Sequence, residues 1–320
     1  MIRFAIVYMI VVAAVALGSP NDFYLSFATR VAYYGIYAMS LNLLVGEAGL
    51  MSLGHSTFFG IAAYCVAWLT THGVGGWTAI AAALALGTAI GLATGSVAVR
   101  VAGASFMMIT LAFAQVAWGL AYRWVGVTGG DNGITGIARP TLIAFDLEKQ
   151  SHYFVFCALA SLGAILVMDR LRASALGASI RAARDQPRRM SALGYHVWAI
   201  RLSAFVVASF FASVAGALDC LQQKFVSPAT MSLLDATMVL LMVVIGGISS
   251  RFGPLVGVIV VLTFTEFSGQ FVSRPRAALG ALLLFVVLFM PAGVAPWLET
   301  LLVGIKRSLW RARPNAGAAR

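Results

Sequence analysis

The strongest constraint on this chain is a succession of long apolar runs, at about 3–18, 29–46, 50–71, 77–99, 104–124, 152–169, 198–219, 233–249, 253–272 and 277–295. A helix needs ~20 apolar residues to cross ~30 Å of hydrocarbon, and most of these runs approach that length. They are continuous in Ala, Val, Leu, Ile and Phe, whereas a membrane barrel would alternate in polarity over strands of about ten residues. The bilayer offers no water to an open backbone, so helices are the remaining solution. The expected fold is all-α, a polytopic transmembrane helical bundle of about ten spans. Composition agrees: 10% of the 320 residues are charged, against roughly 25% in a soluble domain.

The charges then orient the bundle. A net charge of +11 on a soluble protein would point to nucleic acid, but in membrane proteins Lys and Arg collect in cytoplasmic loops. No nucleic-acid role is expected. The segment 170–197 holds Arg170, Arg172, Arg181, Arg184, Arg188 and Arg189 against Asp185, and the tail after Glu299 holds Lys306, Arg307, Arg311, Arg313 and Arg320. Both are expected inside, and an even number of spans separates them. Counting back places the mixed loop 125–151, with Asp131, Arg139, Asp146, Glu148 and Lys149, outside. Both termini fall in the cytoplasm, in keeping with Arg3. Residues 4–17 are short for a span and end in Ala-Leu-Gly-Ser-Pro, like a signal-peptide cleavage region. They are expected to remain as a span, and cleavage would leave the other spans unchanged.

Cys65, Cys157 and Cys220 lie in or beside apolar runs, and His55, His72, His152 and His196 are scattered. Neither set has metal-ligand spacing, and an odd cysteine count argues against a disulfide framework. No metal site is expected.

Polar and glycine-rich motifs interrupt the runs. From Tyr37 to Gly60, the glycines Gly46, Gly49, Gly54 and Gly60 permit close helix contact or a broken helix. Asn42, Glu47, Ser52 and His55 cannot face lipid cheaply, so they point into the bundle, as inter-helix hydrogen bonds or as a polar path. The stretch Thr128-Gly-Gly-Asp-Asn-Gly-Ile-Thr-Gly136 is an external turn rather than a phosphate cradle, since no Lys-Ser/Thr follows it and no strand precedes it. In Ile245-Gly-Gly-Ile-Ser-Ser-Arg-Phe-Gly-Pro254, Pro254 suits the first turn of a new helix. Between 177 and 195, Asp185 is expected to cap or open a short helix, Pro187 to occupy its first turn and Gly194 to stop it. Met190 and Leu193 would share one face of that helix, which would anchor to headgroups or dock a cytosolic protein.

In order and spacing these motifs resemble those of ABC-type branched-chain amino acid transporter permeases of the LivM type. The residues that match are Ser40 to His55, the Thr-Leu-Ala-Phe-Ala run at 110–114, the Thr-Gly-Gly-x-Asn-Gly loop at 128–133, and Gly246, Gly247, Ser249 or Ser250, Gly253 and Pro254. The segment with Ala192, Leu193 and Gly194 is similar to the family's coupling loop. The resemblance covers about 30–295, and it departs at Gln115, where the family usually has an acid, and in the added basicity of Pro187-Arg188-Arg189.

What the resemblance implies is a permease domain over 1–305 with a coupling loop at 170–197, and a basic cytoplasmic tail at 306–320. It implies a LivH-type second permease, two cytosolic ATPase subunits and an extracytoplasmic solute-binding protein, in a bacterial inner membrane. The chain has no P-loop, so ATP would be hydrolysed by the partners and no cofactor bound here. The expected substrate is a branched-chain or related small amino acid, with urea, amides and other small solutes as the alternative. Coupling is assigned to Arg184, Asp185, Arg188, Ala192, Leu193 and Gly194, and the pathway to Asn42, Gly46, Gly49, His55, Thr110 and Gln115. The external loop is Gly129, Gly130, Asn132 and Gly133, and the hinge turn is Gly246, Gly247, Gly253 and Pro254. No catalytic residue is assigned. An ATPase-independent secondary transporter is the rival, although intramembrane acids that could relay protons are few, chiefly Glu47 and Glu266. An intramembrane hydrolase built on Ser56 and His55 lacks a partner acid at a convincing spacing.

Overall fold

The computed structural model describes Tyr8, Val12 and residues 21–140, 147–248, 250–271, 275–290 and 292–297. The first expected span, apart from Tyr8 and Val12, and the basic tail lie outside the described residues, as do Asp146 and Ser249. The chain forms two units, 1–240 and 241–320.

In the first unit, helices α1 (Asp22–Asn42), α2 (His55–Thr71), α3 (Gly76–Ala98) and α4 (Ala104–Arg123) follow one another. A single turn, α5 (Val125–Thr128), precedes α6 (Gln150–Ala173), then two short helices α7 (Ala175–Asp185) and α8 (Pro187–Ala192), then α9 (Val197–Gln223). Helix α10 (Leu233–Gly246) leads into the second unit, which holds α11 (Gly253–Phe271) and α12 (Pro275–Phe289). Helices α3, α4, α6 and α9 are long and apolar enough to cross a membrane, and α10, α11 and α12 are shorter apolar helices. Each expected span within the described residues is helical, with two corrections. Residues 50–54 are irregular, because the chain turns back at Gly49 before α2 begins. The last run stops as helix at Phe289.

Helix α9 is the axis of the first unit and packs on α1, α2 and α3, while α6 covers α1. Its contact with α3 is made by small residues. Gly87, Gly91 and Gly95 share one face at a four-residue spacing, and a Cβ at each would collide with Ser213, Ser209 and Phe205 respectively. Gly216 meets the Phe59 carbonyl of α2 in the same way. Without a hydrophobic drive between helices in lipid, such close approach supplies the dispersion contact. Gly91→Leu is expected to destabilise the fold by about 1–3 kcal/mol through overpacking. Gly163, which faces open space, should accept Ala without loss; thermal unfolding in detergent compares the two.

The loops of this unit sort into the two groups that alternating spans predict. At one end Arg181 and Arg184 reach Glu47 and Gly46, and the Trp198 indole donates to the Ser96 carbonyl at 3.1 Å. At the other end strand β1 (Ile134–Thr135) pairs antiparallel with β2 (Phe225–Val226), Ile134 opposite Val226. In the second unit, α11 packs on α12.

Candidate functional site

Helix α1 does not end by fraying. Residues Leu43–Ala48 continue it as a π-helical turn, a local widening often found at functional sites. Gly49 then adopts φ +67°, and the Leu50 amide closes back onto the Leu44 carbonyl at 2.8 Å. Three arginines of the segment 170–197 grip this widened end. Glu47 is paired with Arg172 at 3.3 Å and with Arg181 at 3.0 Å. Arg184 donates to the Gly46 carbonyl, and its stem lies across Gly49, where a Cβ would come within 2.6 Å of it. Gly49 is therefore fixed twice, by its backbone and by its neighbour. A carboxylate held by two guanidiniums beside a helix C-terminus is electrostatically favourable, since the cations also meet the negative end of the helix dipole.

The segment 49–54 re-enters the bundle. The Leu53 amide donates to Thr110 Oγ1 at 3.3 Å, and Gly54 sits against the Thr110 carbonyl so closely that a Cβ would not fit. His55, 2% exposed, opens α2. Its Nε2 is 2.8 Å from Ser40 Oγ, and its ring stacks on Tyr37 at 5.6 Å. Ser56 Oγ donates to the Met231 carbonyl, which accounts for its hydroxyl in structural terms. Among the described residues, Ser52 Oγ, His55 Nδ1, Thr57 Oγ1 and the Tyr37 hydroxyl are buried without a hydrogen-bond partner within the chain. Of the expected pathway residues, Thr110 meets the re-entrant segment at Leu53 and Gly54, next in sequence to His55. Asn42 is buried at the end of α1, Gly46 and Gly49 belong to the arginine grip, and Gln115 lies on the exposed face of α4.

The segment 170–197 differs in detail from its expected form. It contains two helices, because Ser174 caps α7 by accepting from the Gly177 amide before Pro187 starts α8. Gln186, not Asp185, precedes α8; Asp185 ends α7 and pairs with Arg184 at 2.8 Å. Met190 is buried while Leu193 is 68% exposed, so the two do not share a buried face. Arg188 and Ala192 are exposed as well. Gly194 stops the helix at φ +86° with open space around it, so glycine is needed there for its backbone and not for room.

At the opposite end, Gly129, Gly130 and Gly133 all have positive φ, and Gly133 lies against the Val226 carbonyl as β1 meets β2. Asn132 is exposed in this turn. Arg139, 6% exposed, is the buried staple behind it. It donates to the carbonyls of Leu221 at 2.9 Å, Leu147 at 3.1 Å and Glu148 at 3.3 Å, and to the side chains of Gln150 and Gln222. Its guanidinium lies 4.0 Å from the Tyr153 ring centre. Glu148 pairs with Lys224 at 2.5 Å, and this hydrogen bond holds the Glu148 carboxyl below its ordinary value. The pair therefore stabilises fully above the ordinary carboxylate range and is lost as pH falls through the lowered value. Both partners are near half-exposed, so its contribution is under about 1 kcal/mol.

In the second unit, Gly246, Gly247, Gly253 and Pro254 form the turn into α11. Gly246 and Gly253 touch backbone to backbone, and Gly257 lies on the Met242 carbonyl. Gly247 has φ +108° and contacts Ala292 and Pro296.

Sequence reasoning passed over one polar group. Arg30, Tyr33, Tyr34 and Tyr37 follow one another at helical spacing along α1, and buried Asp219 of α9 faces the Tyr33 hydroxyl. Arg30 and Asp235 lie within electrostatic range of that carboxylate. Its signal was available: single charges inside apolar runs of a membrane protein are functional candidates.

Comparison with known proteins accords with this architecture. A family model described as the permease component of the branched-chain amino acid transport system matches residues 23–291. The high-affinity branched-chain amino acid permease LivM of Escherichia coli K12 is 30% identical over 84% of this chain and 69% of its own length. LivM of Salmonella typhimurium is 29% identical with the same coverage. LivH of Escherichia coli K12 is 23% identical over 82% of this chain and 90% of its own. No solved structure matches. The chain belongs to the branched-chain amino acid transport permease family as a LivM-type ABC permease, a multi-pass membrane protein.

Proposed function

We propose that this permease works in a bacterial inner membrane as one half of the membrane pore of an ATP-driven importer for branched-chain or related small amino acids. A LivH-type subunit supplies the other half, two cytosolic ATPases drive it, and an extracytoplasmic binding protein delivers solute. The chain binds no cofactor, and ATP is hydrolysed by the partners. Urea, amides and other small solutes are the alternative cargo.

The observation that carries this reading is the grip of Arg172, Arg181 and Arg184 on Glu47 and Gly46. It ties the proposed coupling segment to the broken helix that opens toward His55. A push on α7 and α8 would therefore reach the middle of the bundle through ion pairs rather than through a flexible loop. Alternating access needs such packed elements with two arrangements. A secondary transporter would have no use for this linkage.

Leu193, Tyr195 and the arginines around them form the exposed tip of the segment, which is the surface proposed to enter the ATPase. Leu193→Arg leaves the fold intact, because the side chain is outside the core, and is expected to remove the ATPases from the purified complex. Gly194→Glu should do the same and in addition strain its left-handed backbone. Co-purification of the tagged protein with its ATPases checks both. If no ATPase accompanies the wild type, the reading fails and the secondary transporter takes its place.

A further inference from the structure

Helices α2, α3 and α4 do not close on one another at the end of the first unit that carries β1 and β2. An open slot of about 440 Å³ lies between them, within the ~300–1,000 Å³ of pockets that hold small molecules. Ile61, Tyr64, Cys65 and Trp68 line it from α2, spaced three and four apart and so on one face. Ala117, Leu120, Ala121 and Trp124 repeat that spacing on α4, and α3 adds Leu86 and Ile90. Short side chains at Cys65, Ala117 and Ala121 leave the space. No charged residue lines the slot.

Its length and its two ends differ from those of a pocket for a polar solute. From Ile61 to Trp68, and from Ala117 to Trp124, the walls extend ~10 Å along the helix axes at ~1.5 Å per residue. The hydrocarbon of one leaflet is about 15 Å deep, half of ~30 Å. Trp68 and Trp124 stand near the outer ends of α2 and α4, where indoles meet the headgroup level of a bilayer. Arg123, beside Trp124, is exposed and forms no ion pair among the described residues. Tyr64, one turn below Trp68, is 7% exposed, and its hydroxyl has no hydrogen-bond partner in the chain. A buried hydroxyl in that state is stabilised by an acceptor from outside.

We propose that this slot holds one acyl chain of a membrane phospholipid, with the headgroup phosphate at Arg123. The lipid comes from the leaflet on that side, the extracytoplasmic one in the expected orientation. Its chain restores the dispersion contacts that an empty slot forfeits along its lining. An ester carbonyl accepts from the Tyr64 hydroxyl just beneath the tryptophans, and the guanidinium of Arg123 matches the phosphate. A free amino acid is a poor occupant, since the walls offer no opposite charge to either of its ends. The inference rests on the chain being a membrane protein and not on the identity of its cargo.

Cys65 is the reporter. It lines the slot and is half-buried, while Cys157 and Cys220 are wholly buried and inert. The complete transporter is stripped of lipid in detergent and treated with an uncharged maleimide, with and without dioleoyl phosphatidylglycerol, and labelling is read on the Cys65 peptide. Lipid at about tenfold over its Kd is expected to slow labelling about tenfold, by occupancy. In native mass spectrometry the wild type is expected to retain one phospholipid that Ala117→Phe, which fills the slot, loses. Tyr64→Phe and Arg123→Gln leave the width unchanged and should need several-fold more lipid for the same protection. Co-purification of the partner subunits reports that each variant assembles. Labelling unaffected by lipid, equal retention by assembled Ala117→Phe, or undiminished protection in both polar variants overturns the inference. A Cys65 that resists the reagent even in the stripped transporter also overturns it, because the second permease then covers the slot.

Discussion

Glu47→Ala is expected to leave the transporter assembled and to silence it. The substitution removes the carboxylate that binds Arg172 at 3.3 Å and Arg181 at 3.0 Å. Arg184 still donates to the Gly46 carbonyl, so α7 stays near the end of α1 but loses its ionic hold. The Arg181 bond is charge-assisted, a type that contributes about 1.5–3 kcal/mol, and Arg172 Nε adds ionic attraction without a hydrogen bond. Losing that much from a mechanical linkage allows α7 to move without α1, and a shift of about 1.4 kcal/mol is already tenfold in a population. Uptake in proteoliposomes should drop at least about tenfold, while ATP hydrolysis by the bound ATPases continues. Glu47→Gln, which retains hydrogen bonding without charge, should fall between. Exchanging the partners, Glu47→Arg with Arg181→Glu, should restore part of the loss. Uptake unchanged in Glu47→Ala would show that force does not travel this way.

The largest effect on stability is expected from Arg139→Met. Its guanidinium serves four carbonyls and two amide side chains while buried. Removal takes the guanidinium donor from all of them, leaving Gln222 Oε1 only its bond from Gln150, and breaking a buried network of this kind costs about 3–5 kcal/mol. The ribbon of β1 and β2 beside it should loosen first, since two paired residues cannot hold a loop alone. By contrast Lys224→Met removes a half-exposed ion pair and should change stability by less than about 1 kcal/mol. Unfolding in detergent, followed by thermal shift and by protease cleavage of the loop around 130–140, compares them. Equal sensitivity of the two variants would show that Arg139 is not the staple.

The helices were legible because lipid forces a simple code on them: uninterrupted apolar residues over a crossing length. Their ends were less so. Gly46 and Gly49 signalled a break, but the π-helical turn over Leu43–Ala48 is held by Arg172, Arg181 and Arg184, which lie more than a hundred residues away. The segment 170–197 stood out by its charge, yet the Ser174 cap and the Gln186–Pro187 step set its helix boundaries, and basic residues overshadowed both. Gly194 was legible as the stop of the short helix, and the structure gives that stop a left-handed backbone with open space around it. Arg30, Asp219 and Asp235 escaped notice because each looks like an isolated charge in sequence. Only the packing of α9 on α1 brings Asp219 to Tyr33.

A membrane that stores energy as an ion gradient tolerates no leak beside its transporters. The glycine face of α3 bears on this directly. With Gly87, Gly91 and Gly95 lodged against Ser213, Ser209 and Phe205, the seam between α3 and α9 has no width for a file of water, and hence none for protons hopping along one. Larger side chains would wedge it open, and a dry joint would become a short circuit. The small residues here keep the membrane electrically tight while solute passes elsewhere.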